Sequence, residues 1–343
     1  MGMCVLRDGI RIGNFERPYF VAEINSSHNG NLQNALDMVI KAKKAGCHCV
    51  KFQSWTEDSL YAESYYDANP ISKRIVRKFS FSNSELKEIS IFCKANDISF
   101  ASTPYSNEEV DFLINECDVP FIKIASMELN NHTFLKYIAS KKVPIILSTG
   151  MGSIEEIRAA LKVIEDTGNN NLCLLHCVSI YPTEIKLTQL NNILGLREEF
   201  PQYTIGFSDH SLGIEMAVAS VALGACLIEK HFTLNSKKIG MDNQMATEPA
   251  EFTQLIKLCN NVFEGLGTKE RIVSQQELEQ RNKMRRSIVA SRDLKRGEVL
   301  KEEDLICKRP GEGLPPNELP NLIGKELKVD VKKEYNILLS DIN

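Results

Sequence analysis

The feature that most constrains the fold is a regular alternation of short apolar runs with helical patterns along most of the chain. The apolar runs predict strands, and the segments between them carry apolar residues at helical spacing. Such units place consecutive strands parallel in one sheet, with the helices outside it. Strands are predicted at 19–24, 48–53, 98–103, 120–125, 143–148, 171–177, 203–208 and 226–231, and helices at 31–46, 84–96, 106–115, 131–140, 153–166, 186–198, 211–223 and 250–265.

This rhythm is typical of an α/β protein of the (β/α)8, or TIM barrel, type, for which about 250 residues is the usual length. A doubly wound open sheet is the alternative. It has less support because no predicted strand is followed by the G-x-G-x-x-G turn of a dinucleotide-binding fold. We therefore predict a barrel.

Composition divides the chain into a large and a small domain. Residues 1–266 hold the barrel and, before it, a hairpin that we expect to cover one of its ends. Residues 267–284 are rich in Gln, Glu, Lys and Arg and predict a linker, and 285–343 predict a small loop-rich domain. The segment 61–78 interrupts the alternation, which indicates either a lid or a disordered surface loop.

Charge and cysteine usage argue against several function classes. A net charge of -4 without a basic block offers no electrostatic footprint for nucleic acid or an anionic membrane. The ten cysteines lack the spacing of a metal knuckle or a redox pair, which indicates a reducing compartment. No segment has the pattern of a signal peptide or a membrane span, so we expect a cytoplasmic protein.

Two histidines end neighbouring predicted strands. The strands that precede His210 and His231 flank a helical pattern, so their carboxyl ends should lie at one edge of the sheet, about 4.8 Å apart. Because side chains alternate along a strand, Ser208 shares a face with His210, and Glu229 shares one with His231. The two imidazoles could share one cation, or each could be a hydrogen-bonded filler of the barrel interior.

Polar side chains follow the other strands at the edge where TIM barrels form their active sites. Lys51 and Lys123, together with several hydroxyls and glycines, indicate a site for phosphate or carboxylate, whereas either lysine alone would suggest a salt-bridged or solvated side chain. Carboxylates there could move protons or only neutralise the lysines. The hydroxyls are Ser126, Ser148, Ser179 and Ser208, and the carboxylates are Glu23, Glu128 and Glu229.

Several runs of sequence carry a family resemblance. They are AE at 22–23 with HNG at 28–30, VKFQ at 50–53, FIKIAS at 121–126, LSTGM at 147–151, GFSDH at 206–210 and IEKHF at 228–232. In this order they resemble the sialic acid (N-acetylneuraminate) synthase family, which includes bacterial legionaminate and pseudaminate synthases and related spore-coat polysaccharide proteins. The tail from 286–290 to 308–311 is similar to the antifreeze-like (SAF) domain that ends these enzymes.

The resemblance implies a transferase (EC 2.5.1 class) that condenses phosphoenolpyruvate with the open-chain aldehyde of an N-acylated amino sugar. The products are phosphate and a nine-carbon nonulosonic (sialic-type) acid. His210 and His231 would hold a divalent cation, commonly manganese, with magnesium or cobalt as alternatives. Glu23 and Glu229 are candidates for moving protons. The implied phosphoenolpyruvate residues are Lys51, Lys123, Ser126, Ser148, Ser179 and Ser208, and further substrate-binding or catalytic candidates are Gln53, Glu128, Tyr181 and Asp242.

The resemblance also implies a domain-swapped homodimer in which Arg309 of one chain contacts the sugar bound to the other. Taken alone, Arg309 precedes a proline and two glycines and suggests a surface turn with a solvated guanidinium. The predicted linker is long enough to let the small domain reach a neighbouring chain.

Two segments depart from the family pattern. Many members have Gly-Pro-Asp-His where this chain has Gly-Met-Asp-Asn at 240–243, and Gly-Val-Asn where it has Asn-Ser-Ser at 25–27. We therefore expect the acceptor to be a bacterial diamino sugar and not N-acetylmannosamine. Two other functions stay open, a Schiff-base aldolase that uses Lys51 or Lys123 and a non-catalytic sugar-binding barrel.

Overall fold

The computed structural model describes residues 2–238 and 240–343. It consists of two compact units, Met1–Gly267 and Thr268–Asn343. The first unit is the predicted (β/α)8 barrel with its hairpin, and the second is a small domain of short strands and turns. Part of the segment that we predicted as a linker, 267–284, is helical.

The hairpin closes the amino-terminal end of the barrel. Strand β1 (Met3–Val5) pairs antiparallel with β2 (Arg11–Gly13) across a turn in which Gly9 has a φ of 87°, a value that favours glycine. Its buried side chains, including Leu6 and Ile12, pack with the apolar interior at the start of the barrel strands. The opposite end of the barrel, where the strands finish, is therefore the end that can hold a site.

Eight parallel strands form the barrel. They are β3 (Tyr19–Glu23), β4 (Cys49–Gln53), β5 (Ser99–Thr103), β6 (Ile122–Ile124), β7 (Ile145–Ser148), β8 (Leu172–Cys177), β9 (Thr204–Asp209) and β10 (Leu227–His231). Their order is β5-β4-β3-β10-β9-β8-β7-β6, so β3 and β10, the first and last barrel strands along the chain, pair with each other. Among the described residues no ladder joins β5 to β6, although the two strands lie side by side.

The inner face of the strands changes from apolar to polar along the barrel axis. In β4, Cys49 belongs to the apolar interior, whereas Lys51 and Gln53 on the same face line a cavity. The alternate residues Val50 and Phe52 face outward and pack in the main core between strands and helices. The period of two along each strand thus separates the residues that stabilise the fold from those that build the site.

Helices lie around the barrel, near each predicted position. One prediction, a single helix over 186–198, was wrong, because Gln189 takes a left-handed φ of 43° and divides it. Among the described residues no helix is long and apolar enough to cross a membrane. The helices of this unit are α1 (Leu32–Ala45), α2 (Glu57–Leu60), α3 (Glu63–Ala68), α4 (Pro70–Phe79), α5 (Asn83–Ala95), α6 (Asn107–Asn115), α7 (His132–Ser140), α8 (Ile154–Glu165), α9 (Ile185–Thr188), α10 (Asn192–Glu199), α11 (Glu215–Ala222) and α12 (Pro249–Leu266).

Local capping explains where the first long helices begin and end. Asn31 caps α1 by accepting a hydrogen bond from the backbone of Asn34, and Gly46 ends it with a φ of 99°. Ser82 opens α5 with a capping box that includes Glu85.

The segment 57–79, which we name the insertion, is helical. Pro70 starts α4, where its missing N–H needs no partner. Tyr66 and Val76 are buried against Trp55, the second residue after β4, and Tyr105 packs on the same cluster. The insertion therefore packs on the carboxyl end of the barrel through a small apolar cluster of its own.

The second unit is built around one short antiparallel ladder. Ser287 to Ala290 pair with Lys308 to Leu305, and the ladder covers a compact apolar cluster. Its elements are α13 (Gln275–Met284), β11 (Ser287–Ala290), β12 (Leu305–Lys308) and α14 (Leu319–Leu322).

Candidate active site

A cavity of about 230 Å³ opens at the carboxyl ends of the strands, and every barrel strand contributes to its wall. Most residues that we predicted for the site line this one cavity. They are Glu23, Lys51, Gln53, Lys123, Ser126, Ser148, Ser179, Tyr181, Ser208, His210, Glu229 and His231.

Three predicted residues do not line the cavity. Glu128 is half-buried in a 3-10 turn after β6, where it accepts a hydrogen bond from Asn131 Nδ2 (2.8 Å). Asp242 is half-buried on the loop after β10 and accepts a hydrogen bond from Asn25. Arg309 lies in the second unit with an exposed side chain.

Six lining residues were missing from our predicted set, and three of them, Ala125, Met127 and Met151, are apolar. The other three are Thr103, Tyr105 and Cys177. Thr103 accepts a hydrogen bond from Lys51 Nζ (3.3 Å), Tyr105 lies two residues beyond it, and Cys177 ends β8. The alternation along β5 signals Thr103, because Ala101 and Thr103 share the inner face. Tyr105 lies in a loop, for which strand alternation gives no reliable direction.

Glu229 is the shared counter-ion of the two buried lysines. Its carboxylate lies 3.7 Å from Lys51 Nζ and 3.5 Å from Lys123 Nζ. Lys51 also pairs with Glu23, and Lys123 donates to Ser148 Oγ (2.8 Å). Buried charges are tolerated when they are paired in this way, so the four groups form one balanced network.

The two carboxylates have opposite pKa shifts. Burial raises the pKa of Glu23 to about 6, and the neighbouring Glu229 adds to this, while Lys51 opposes it. Burial would also raise the pKa of Glu229, but Lys123 and Lys51 outweigh it and lower the pKa to about 2. Paired carboxyl groups with separated pKa values are a common acid–base arrangement. Glu229 is therefore ionised at neutral pH, whereas Glu23 gains and loses its proton close to neutral pH.

A cradle of small polar groups surrounds Gly150, the second residue after β7. Its backbone N–H donates to Ser126 Oγ (3.0 Å), which lies 3.2 Å from Cys177 Sγ. A Cβ at position 150 would lie 2.9 Å from both of those atoms and closer still to Ser179 Oγ. The glycine is therefore required for this close approach, which is the usual way in which a loop receives an anionic group.

The two histidines face each other, with ring centroids 5.5 Å apart. His210 Nδ1 donates to the carbonyl of Val178 (2.8 Å), which leaves Nε2, 3.3 Å from Ser208 Oγ, with a free lone pair. His231 Nδ1 is buried without a hydrogen-bond partner. Burial lowers the pKa of both imidazoles, so both are neutral at pH 7 and could bind a cation. Within 2–238 and 240–343 no group of three or more His, Cys, Asp and Glu side chains is arranged to hold a metal ion.

The residues between those inner-facing groups point outward, as alternation predicts. Lys230 Nζ lies 2.7 Å from Asp209 Oδ2 and donates to the carbonyl of Ser211 (2.8 Å). All three residues are buried. Lys230 and Asp209 thus form an ion pair outside the barrel, and neither lines the cavity.

The two segments that depart from the family pattern meet in space. Asn25, with a φ of 45°, donates to Asp242, and burial raises the pKa of that carboxyl. Asn243 is buried. Its amide oxygen accepts a hydrogen bond from Thr233 Oγ1, and its Nδ2 donates one to the carbonyl of Asn235 (2.7 Å). Asn243 therefore fixes the loop after β10, and Asp242 is held against the loop after β3.

Comparison with known proteins relates this site to one family. The NeuB family model matches residues 38–271, and the SAF domain model matches 285–342. The N,N'-diacetyllegionaminic acid synthase of Legionella pneumophila is 34% identical over 94% of each chain. The N-acetylneuraminate-9-phosphate synthase of Drosophila melanogaster is 32% identical over 94% of this chain and 95% of its own.

A solved structure has the same architecture. The N-acetylneuraminic acid synthetase of Leptospira borgpetersenii superposes with a TM-score of 0.75 at 30% identity, over 81% of this chain and 96% of that one. Its sequence likeness and the two family matches lead to the same assignment, and this chain belongs to the NeuB family.

Proposed function

We propose that this protein condenses phosphoenolpyruvate with the open-chain aldehyde of an N-acylated amino sugar to give phosphate and a nine-carbon 2-keto acid. The observation that carries the proposal is one cavity in which two buried lysines, the Gly150 cradle and a histidine pair converge. The family supports it, since the relatives at 34% and 32% identity are named as synthases of acids of this class.

The cradle side of the cavity suits phosphoenolpyruvate. Lys123 supplies a positive charge beside Ser148 Oγ, and the hydroxyls of Ser126 and Ser179 lie close to Gly150. Ammonium and hydroxyl donors together match the oxygens of a phosphate or a carboxylate.

The condensation needs proton transfers that the carboxylates can make. C3 of phosphoenolpyruvate bonds to the aldehyde carbon, the aldehyde oxygen gains a proton, water adds at C2, and phosphate leaves as the ketone forms. We assign the proton transfers to Glu23, because its pKa of about 6 lies near the working pH. Glu229 stays ionised and holds the lysines and Ser208 Oγ (2.9 Å) in place.

His210 and His231 would hold the divalent cation, which we propose to be manganese, with magnesium or cobalt as alternatives. The residues fit such an ion because both imidazoles are neutral and His231 Nδ1 has no protein partner. A bound cation would polarise the aldehyde oxygen. His210→Ala should abolish both turnover and the Mn²⁺ signal of the bound ion in electron paramagnetic resonance, and near-normal turnover without added metal would refute this role.

For the acceptor we propose a bacterial diamino sugar. The support is that both departures from the family pattern, at 25–27 and 240–243, lie together beside Asp242. The relatives differ in their products, since one is named for a diacetylated acid and another for a 9-phosphate.

Release of phosphate from phosphoenolpyruvate tests both the reaction and the acceptor. The panel contains N-acetylmannosamine, its 6-phosphate and diacetamido hexoses, each with Mn²⁺. We expect release only when an acceptor is present, and the fastest release with a diacetamido hexose. Equal or faster release with N-acetylmannosamine would contradict the acceptor class, and no release with any acceptor would contradict the reaction.

We also propose a homodimer in which the second unit of each chain covers the barrel mouth of the other, with Arg309 on the acceptor. The support is a rim of exposed apolar side chains around the cavity, among them Met127, Met151 and Tyr181, which are 54%, 71% and 50% exposed. Exposed apolar side chains gathered around one cavity often mark a contact with a partner.

A Schiff-base aldolase is a second candidate because of one observation. Burial lowers the pKa of Lys123, which favours the neutral amine that attacks a carbonyl. The histidine pair has no role in that chemistry. Borohydride trapping of a substrate on Lys123, together with activity that survives a chelator, would favour the aldolase.

A further inference from the structure

Tyr105 contacts the cavity network from a loop outside the barrel strands. It follows β5 by two residues, and its hydroxyl donates to Gln53 Oε1 (2.8 Å). Gln53 Nε2 in turn donates to Glu23 Oε1 (3.1 Å). Phenol, carboxamide and carboxyl therefore form one chain of hydrogen bonds along the wall of the cavity.

The chemistry of this chain fixes the direction of the amide. Gln53 Nε2 donates to Glu23, so the NH₂ end of the amide faces that carboxyl group. Its carbonyl end then needs a donor, which Tyr105 supplies. Without that hydroxyl, the carbonyl oxygen of the half-buried Gln53 amide loses its hydrogen-bond donor, and the amide loses a restraint on its rotation. The rest of the cavity wall is unchanged.

Tyr105 is itself held at two other points. Its backbone N–H donates to Glu109 Oε2 (2.6 Å), and Glu109 Oε1 accepts from Ser59 Oγ (2.6 Å) in α2. Its ring packs edge-on against Trp55, with centroids 5.9 Å apart. These contacts tie the insertion and α6 to the tyrosine, so its hydroxyl is a fixed point in the site.

Tyr105 and Gln53 form an uncharged part of the cavity wall, beside the ion pair of Lys51 and Glu23. Lys123, Ser148 and the Gly150 cradle come from β6 to β8, whereas Gln53 and Tyr105 come from β4 and the loop after β5. Neutral donors and acceptors suit the hydroxyl and amide groups of a sugar better than a phosphate.

We propose that Tyr105 is a positioning residue for the acceptor sugar, which acts by holding the Gln53 carboxamide toward the cavity. This inference rests on the proposed condensation. A positioning role through Gln53 predicts that the effect of removing the hydroxyl depends on whether residue 53 can form hydrogen bonds.

The test is a double-mutant cycle on the full chain, with phosphate release measured against each substrate. Tyr105→Phe keeps the ring on Trp55 and removes only the hydroxyl. We expect KM for the acceptor to rise about three- to tenfold, with KM for phosphoenolpyruvate changed less than about twofold, as for one lost neutral hydrogen bond. In a Gln53→Met background, the same change should have no further effect.

Tyr137→Phe is the matched control, since it removes a hydroxyl that donates to Asp111 (2.6 Å) on an outer helix. It should leave both KM values unchanged. The positioning role would be overturned if Tyr105→Phe had equal effects in the parent chain and in the Gln53→Met background, or if it left the acceptor KM unchanged. In either case, turnover by the parent chain would still uphold the condensation. If the parent chain released no phosphate with any acceptor, the condensation and this inference would both be overturned.

Discussion

Gly150 is the residue at which the smallest change should have a selective effect on catalysis. A methyl group there would occupy the space between Ser126, Cys177 and Ser179, where we propose the anion binds. We predict that Gly150→Ala raises KM for phosphoenolpyruvate at least about tenfold and changes KM for the acceptor little, because the methyl displaces a donor from the cradle. Steady-state phosphate release checks this.

Gly265 provides the control, because it lies in α12 and a Cβ there would meet no atom within 4 Å. Gly265→Ala should leave both KM values unchanged. If Gly150→Ala raised the KM for the acceptor as much as the KM for phosphoenolpyruvate, the substitution would disturb the whole cavity and not only the cradle.

His28 should make stability depend on pH. Burial lowers its pKa to about 3, its Nδ1 accepts from the N–H of Gly30 (3.0 Å), and its ring stacks on Phe81. In the unfolded chain the imidazole is protonated below about pH 6.5, whereas in the folded chain it stays neutral until about pH 3. The free energy of unfolding is therefore highest at and above pH 7 and decreases as the pH is lowered from about 6.5 to about 3.

We predict that the parent chain loses about 2 kcal/mol more than His28→Gln between pH 7 and pH 5. Glutamine keeps an acceptor for Gly30 but does not titrate. Urea unfolding at the two pH values measures the difference, and parallel losses in both chains would contradict the assignment of a buried neutral imidazole.

At the scale of elements, the insertion depends on its apolar cluster more than on its ion pairs. Tyr66 is 2% exposed and contacts Trp55 and Val76, whereas the pair between Arg77 and Glu57 lies at the surface. Exposed ion pairs contribute little, and loss of a buried aromatic ring removes several kcal/mol.

We therefore predict that Tyr66→Ala opens the insertion and that Arg77→Ala does not. Limited proteolysis should cut the first variant within 57–79 at least about tenfold faster than the parent chain, with the barrel left intact. Equal cutting of both variants would mean that the ion pairs carry the stability of this segment.

The barrel elements could be predicted because strand and helix patterns alternate without ambiguity. The insertion could not be assigned as securely, since α2 and α3 have only four and six residues, too short for a periodic signal. A usable signal for α4 did exist, in Pro70 followed by apolar Ile71, Ile75 and Phe79 at helical spacing. The break at Gln189 has no comparable sequence signal, because its left-handed φ depends on tertiary packing.

Site residues could be predicted where a strand fixes their direction. Glu229 and His231 belong to β10, so alternation places both on the inner face. Residues beyond the strand ends depend on loop conformation, which is why Glu128 was expected in the site and Tyr105 was not. The sharing of Glu229 between two lysines depends on rotamers and could not be predicted from spacing.

At the scale of the whole molecule, the proposed dimer predicts complementation between inactive chains. Arg309→Ala and His231→Ala should each lose activity, because one removes a contact to the acceptor and the other a cation ligand. After subunit exchange, a mixed dimer has one site with both groups intact. We expect phosphate release to recover to about a quarter of the parent rate, and no recovery after demonstrated exchange would exclude the swapped arrangement.

The closure of the barrel between β3 and β10 has a consequence for how the protein is made. Glu23 and His231 are partners in that ladder, although one belongs to the first barrel strand and the other to the last. A nascent chain cannot bring them together until residue 231 has left the ribosome. Until then the strand edges stay open to aggregation, as for other long-range pairings. Catalytic competence therefore appears only when barrel synthesis is complete, so a prematurely terminated chain carries no working site.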